Sequence, residues 1–162
     1  MVGITNALNV VADVTNTSGL LAVVSPADEK RAEPDLAPIF DDVRAFYARP
    51  DIPLPFRIAG LDPRYLGDIW QATRRAFDDN RLSRKLKESL AFAVSVTSRS
   101  SFGTAFHGGE MRRLGVGTAG ILEVLGVTQM FSSYTKIADT LHLDPDMAHM
   151  APIDPSPAPG CP

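Results

Sequence analysis

An all-α fold is predicted by three features of this 162-residue chain. From residue 35 onward apolar residues recur at three-to-four-residue spacing. Capping residues stand where those stripes begin, and strand-like alternation is nearly absent. The first stripe runs from Pro34 to Ala48 and brings Leu36, Ile39, Phe40, Val43 and Phe46-Tyr47 to one helical face, with Asp35 as a negative first turn and Pro50 as the stop. Pro53 and Pro55 then predict an extended crossing. The next helix spans about Pro63 to Asp78, capped by Asp62, with proline at its first position and Tyr65, Leu66, Ile69, Trp70, Thr73 and Phe77 inward. Ser83 caps a third helix through Leu86, Leu90, Ala93, Val94 and Thr97 to about Arg99. The pattern breaks at Phe102-Gly103. A fourth helix carries Ala105, Phe106, Met111 and Leu114 to Gly115, which suits a left-handed ending. A short helix over Thr118 to Leu125 and a long one over Val127 to Leu141 complete the set.

This helical domain covers residues 35–150. Before it, residues 1–34 read as an irregular arm. After it, residues 151–162 are so rich in proline that a flexible tail is expected. Several function classes drop out on composition. With 16 basic and 19 acidic side chains and a net charge of −3, no basic face for nucleic acid is expected. No run approaches the roughly 20 apolar residues of a membrane span. Cys161 is the only cysteine, so a Cys-X-X-Cys pair, an internal disulfide and a multi-cysteine zinc site are all impossible. The N-terminal residues lack the basic region of a secretory signal, which makes a cytoplasmic location the expectation. His142 and His149 show no ligand spacing with His107, and neither a metal nor a cofactor is expected.

Chemistry concentrates around two residues. Glu88 lies on the third helix and His107, nineteen positions later, on the fourth. A tight turn between antiparallel helices would bring them together. A carboxylate bonded to an imidazole fixes its tautomer and makes a general base or proton shuttle; equally, such a pair can simply tie two helices together. Glu110 follows His107 by one turn on the same face.

The stretches Lys85-Leu-Lys-Glu-Ser-Leu-Ala-Phe-Ala-Val-Ser95 and Ser100-Ser-Phe-Gly-Thr-Ala-Phe-His107 resemble the core motif of the alkylhydroperoxidase-D-like and carboxymuconolactone decarboxylase superfamily. Gly109 to Val116, Ile121 to Leu125, Phe131 to Asp139 and, upstream, Phe56-Arg57 through Trp70 are also similar, so the resemblance spans about residues 52–143. It implies a helical bundle and a symmetric homo-oligomer, a trimer or hexamer. In the peroxidases of that superfamily a glutamate, a Cys-X-X-Cys pair and a histidine four residues beyond it form a proton relay and redox centre. The resemblance places Glu88 and His107 on the glutamate and histidine. Ser100 and Gly103 stand where the cysteines would be, and neither can cycle through sulfenic acid and disulfide.

The expectation that follows is acid–base chemistry without redox, of decarboxylase, lyase or isomerase type, on a small carbonyl, lactone or carboxylate metabolite. Glu88 and His107 are the expected catalytic residues. Ser100, Ser101, Phe102, Gly103 and Glu110 are expected to bind the small-molecule ligand. Gly103, Gly108 and Gly109 leave room for that ligand or for tight helix packing, and Arg99, Arg112 and Arg113 offer a carboxylate fork or a solvated helix end. Alternatives are a Ser100 nucleophile activated by His107, a non-catalytic scaffold or ligand-binding homologue, and an antioxidant role through an external thiol or cofactor.

Overall fold

The computed structural model describes residues 25–28 and 34–143, and among these the regular structure is helical throughout. The termini predicted as an arm and a tail lie outside the described residues, apart from positions 25–28 and 34. Six helices follow in order among the described residues: α1 (Ala37–Tyr47), α2 (Leu54–Ala59), α3 (Pro63–Phe77), α4 (Arg84–Thr97), α5 (Ser101–Arg113) and α6 (Thr118–Leu141).

Local signals account for most boundaries. The Asp62 carboxylate accepts from the Arg64 and Tyr65 amides at the start of α3, and the Ser83 hydroxyl accepts from the Leu86 amide at the start of α4. Gly115 ends α5 at φ +84°, a conformation that costs other residues steric strain. Five expectations need correction. Asp35 precedes the first turn of α1, whose N-cap is Leu36. The Pro53–Pro55 segment is not extended: it opens α2, because proline in a first turn lacks only an amide that would go unpaired anyway. The Phe102-Gly103 break lies instead at Ser98–Ser100, where the Ser100 hydroxyl accepts from the Gly103 amide and starts α5. The two last helices are one, since Gly126 sits inside α6, where glycine lowers helix propensity without breaking it. Tyr65, expected inward, is exposed.

Two apolar clusters hold the bundle. The larger joins α1, α2 and α3 through Phe40, Tyr47, Phe56, Leu66 and Trp70 and receives Phe106 from α5. Trp70 Nε1 donates to Asp42 at 2.7 Å, which satisfies its one polar atom. The smaller cluster packs Phe92, Met111 and Ile121 between α4, α5 and α6. α4 and α5 form the most extensive helix pairing. Their contact is unusual in kind: α4 buries Glu88, Phe92 and Ser95 while Leu86, Leu90 and Val94 stay about half exposed. Polar side chains therefore lie inside and leucines outside, the reverse of a lone amphipathic helix.

Candidate functional site

The inward face of α4 meets α5 at a hydrogen bond between His107 Nδ1 and Glu88 Oε2, 2.7 Å long. Glu88 is fully buried and His107 is 3% exposed. A carboxylate only accepts, so the bond is donated by Nδ1–H, and the lone pair of the neutral imidazole is on Nε2. Nε2 has no partner among the described residues. The ring is stacked on Phe77 of α3, centroids 5.8 Å apart and planes within 5°, and meets Phe106 edge-on at 5.3 Å. Beside it opens a cleft of about 300 Å³ lined by Ile69, Ala72, Thr73, Ala76, Phe77, Ala91 and His107. His107 is the one titratable side chain in that apolar lining.

Behind the pair lies Arg84, one helical turn before Glu88 on α4. Its Nε is 3.6 Å from Glu88 Oε1, its Nη2 donates to Glu110 Oε2 at 3.0 Å and its Nη1 donates to the Phe46 carbonyl at 2.7 Å. The guanidinium lies 3.7 Å over the Phe46 ring. Glu110 also takes Arg113, at 2.6 Å from Nη2, and this charge-assisted bond holds the Arg113 guanidinium above its usual value. Tyr47 borders the cluster; burial first, and the Glu88 charge second, push its phenol well above the ordinary tyrosine range.

The structure brings Glu88 and His107 together and distributes the other predicted residues differently. The Ser100 hydroxyl is buried and caps α5 by accepting from the Gly103 amide, and His107 Nε2, the atom that would activate a serine, has no partner among the described residues, so the Ser100–His107 contact of that reading is not formed. Ser101 is exposed at the start of α5, and Phe102 stacks on Phe106 at 5.6 Å. Gly103 is packed so closely that a Cβ there would stand 2.5 Å from Ser95 Oγ. Gly108 faces Phe92 at 3.3 Å on the same measure, whereas Gly109 has open space. Glu110 is committed to Arg84 and Arg113 and does not line the cleft.

Arg84, Phe77 and Ser95 are site neighbours that sequence reasoning left unassigned. The Arg84–Glu88 spacing of four is a helix-pair signal, but such pairs usually lie on a solvated surface, and nothing in the spacing says that this one is buried. Among the described residues no three His, Cys, Asp or Glu side chains converge as a metal-ligand set, and no helix is long and apolar enough to cross a membrane.

The chain is similar to the crystal structure of the alkylhydroperoxidase AhpD core from Rhodospirillum rubrum, with a TM-score of 0.73 and 22% identity over 79% of this chain and 96% of that one. The fold is the AhpD-like fold. At that identity the likeness is one of architecture, and it bears out the all-helical expectation drawn from the motif. No family model matches the sequence, and no curated protein matches it. Within the AhpD-like frame the positions of Ser100 and Gly103 carry no sulfur, and Ser95 fills the space beside Gly103.

Proposed function

We propose that this chain is a cysteine-less AhpD-like protein that moves protons on a small carbonyl, lactone or carboxylate compound bound against His107. One observation carries the reading: the buried 2.7 Å Glu88–His107 bond leaves Nε2 without a partner among the described residues, on the one titratable side chain that they contribute to an apolar cleft. The cleft volume falls at the lower end of the roughly 300–1,000 Å³ that ligand pockets span. In the proposed step the Nε2 lone pair takes a proton from the carbon beside a carbonyl. The electron pair of the broken C–H bond moves into the enolate, and Glu88 holds the imidazolium through Nδ1–H. Returned from Nε2–H to another carbon of the conjugated enolate, that proton completes an isomerisation; in a decarboxylation no C–H bond is broken, the bonding pair of the departing carbon dioxide passes into the enolate, and a proton that Nε2 has taken from solvent is delivered to carbon.

Solvent-deuterium exchange into a panel of lactones, keto acids and aromatic acids, preselected by thermal shift, tests this. His107→Ala is expected to lower exchange by about 10²–10⁴-fold, the usual worth of a positioned acid–base group, and Glu88→Gln to lower it less. Turnover untouched by both substitutions overturns the reading. A non-catalytic ligand-binding role is the second reading. It is favoured by the commitment of Ser100 to a cap and Glu110 to an ion pair, which leaves the cleft with few polar groups.

The proposed working form is a homo-oligomer in a reducing cytoplasm, assembled through α4 and α6. Ten large apolar side chains on these helices, Leu86, Leu90 and Val94 on α4 and Leu122, Val127, Met130, Phe131, Tyr134, Ile137 and Leu141 on α6, are each 45–66% exposed. Contiguous apolar surface on this scale marks an interaction face.

A further inference from the structure

Among the described residues the charges around the Glu88–His107 pair balance. Arg84 and Arg113 offset Glu88 and Glu110, so a neutral His107 leaves the cluster with no net formal charge. We propose that Arg84 is a positioning residue whose buried charge keeps His107 Nε2 unprotonated. Its functional meaning rests on the acid–base reading above; its physical content rests on the geometry alone.

Arg84 is held from three sides, by the Phe46 carbonyl, the Phe46 ring and Glu110, and its side chain is only 11% exposed. Toward Glu88 it behaves differently. The 3.6 Å separation of Nε and Oε1 is within Coulomb range but beyond a hydrogen bond, and both atoms are buried without a hydrogen-bond partner among the described residues. Arg84 therefore stands beside Glu88 Oε1 as a charge and leaves Oε2 to His107 Nδ1–H. The other charged or titratable groups at the pair are Tyr47 from α1 and Glu110 and Arg113 from α5, while α3 supplies the apolar Phe77.

Without Arg84 the cluster carries one excess negative charge away from water, which is costly. A proton taken from solvent neutralises it at the pair. It either stays on Nε2, making an imidazolium, or Nδ1 passes its own hydrogen to Glu88 while Nε2 keeps the new one. Both arrangements end with N–H at Nε2 and no lone pair there. Removal of the Glu110 charge as well restores balance.

The test is imidazole ¹⁵N NMR of the full chain labelled at histidine, at about pH 8, where free imidazole is neutral. The His107 signals are assigned by difference from His107→Gln. Native protein and Arg84→Lys are expected to show an unprotonated Nε2. In Arg84→Gln the protonated-to-unprotonated ratio at Nε2 rises at least tenfold, and Arg84→Gln/Glu110→Gln returns it to the native value. A folded Arg84→Gln with Nε2 unchanged, the proton having gone to Glu88 Oε1, overturns the proposal, as does a double variant that stays protonated. If Arg84→Gln does not fold, Arg113→Gln carries the test: it removes the same unit of charge from the more exposed end of the cluster and shifts Nε2 in the same sense at smaller amplitude, and no shift in it overturns the proposal. No substrate enters these measurements. Failure here leaves the proton-transfer reading standing, and a charge-dependent Nε2 in a chain without turnover overturns only that reading.

Discussion

Tyr47 is 1% exposed, and its hydroxyl has no hydrogen-bond partner among the described residues. A buried unpaired hydroxyl costs desolvation energy that its ring packing against Phe106, at 5.0 Å, must outweigh. Burial also raises its ionisation, which has a signed consequence. Above roughly pH 10 the unfolded chain releases this proton while the folded chain keeps it, so stability falls with rising pH by about 1.4 kcal/mol per unit from this group. Tyr47→Phe is expected to abolish that contribution and to leave stability at neutral pH unchanged or slightly higher. Urea denaturation of both proteins at pH 7 and above pH 10 checks it; identical pH profiles refute it. Glu88 and His107 were legible at this scale as residue types at a known spacing. Arg84 was not, because charge on a helix ordinarily faces solvent and only its neighbours show otherwise.

Between elements, the α4–α5 contact depends on small groups meeting. Ser95 Oγ turns back to the Ala91 carbonyl at 2.8 Å, and Gly103 presses against that side chain. A methyl at Gly103 has no space, so Gly103→Ala is expected to cost about 1–3 kcal/mol by overpacking. Ser95→Ala in the same chain is expected to recover part of the loss, because it removes the nearest atom. Thermal denaturation of the two singles and the double closes the cycle, and strict additivity would show that the two positions do not touch. The starts of α3 and α4 were readable because Asp62 and Ser83 act within one turn of themselves. The continuity of α6 through Gly126 was not, since glycine permits both a turn and a helix.

At the scale of the whole molecule, the exposed apolar side chains of α4 and α6 are the basis of the proposed assembly. Leu90→Glu and Phe131→Glu are expected to convert an oligomer to a monomer in light scattering at micromolar concentration. The 2.7 Å Glu88–His107 bond lies on the opposite face of α4 and should persist. A native chain that scatters as a monomer contradicts the assembly proposal. Melting temperature should rise with protein concentration in the native chain and not in the variants.

The sequence by itself determined the helical class and most helix limits, because periodicity and capping act over a few residues, and its motif singled out Glu88 and His107 as residues that a tight turn between helices would bring together. Tertiary structure alone decided which face of α4 turns inward, that Arg84 joins the buried charges, and that Ser100, Gly103 and Glu110 serve packing and charge balance away from the cleft. The physical reason is that burial depends on what approaches from other elements. The polar face of α4 is inside only because α5 brings it a histidine, a second carboxylate and a glycine small enough to fit.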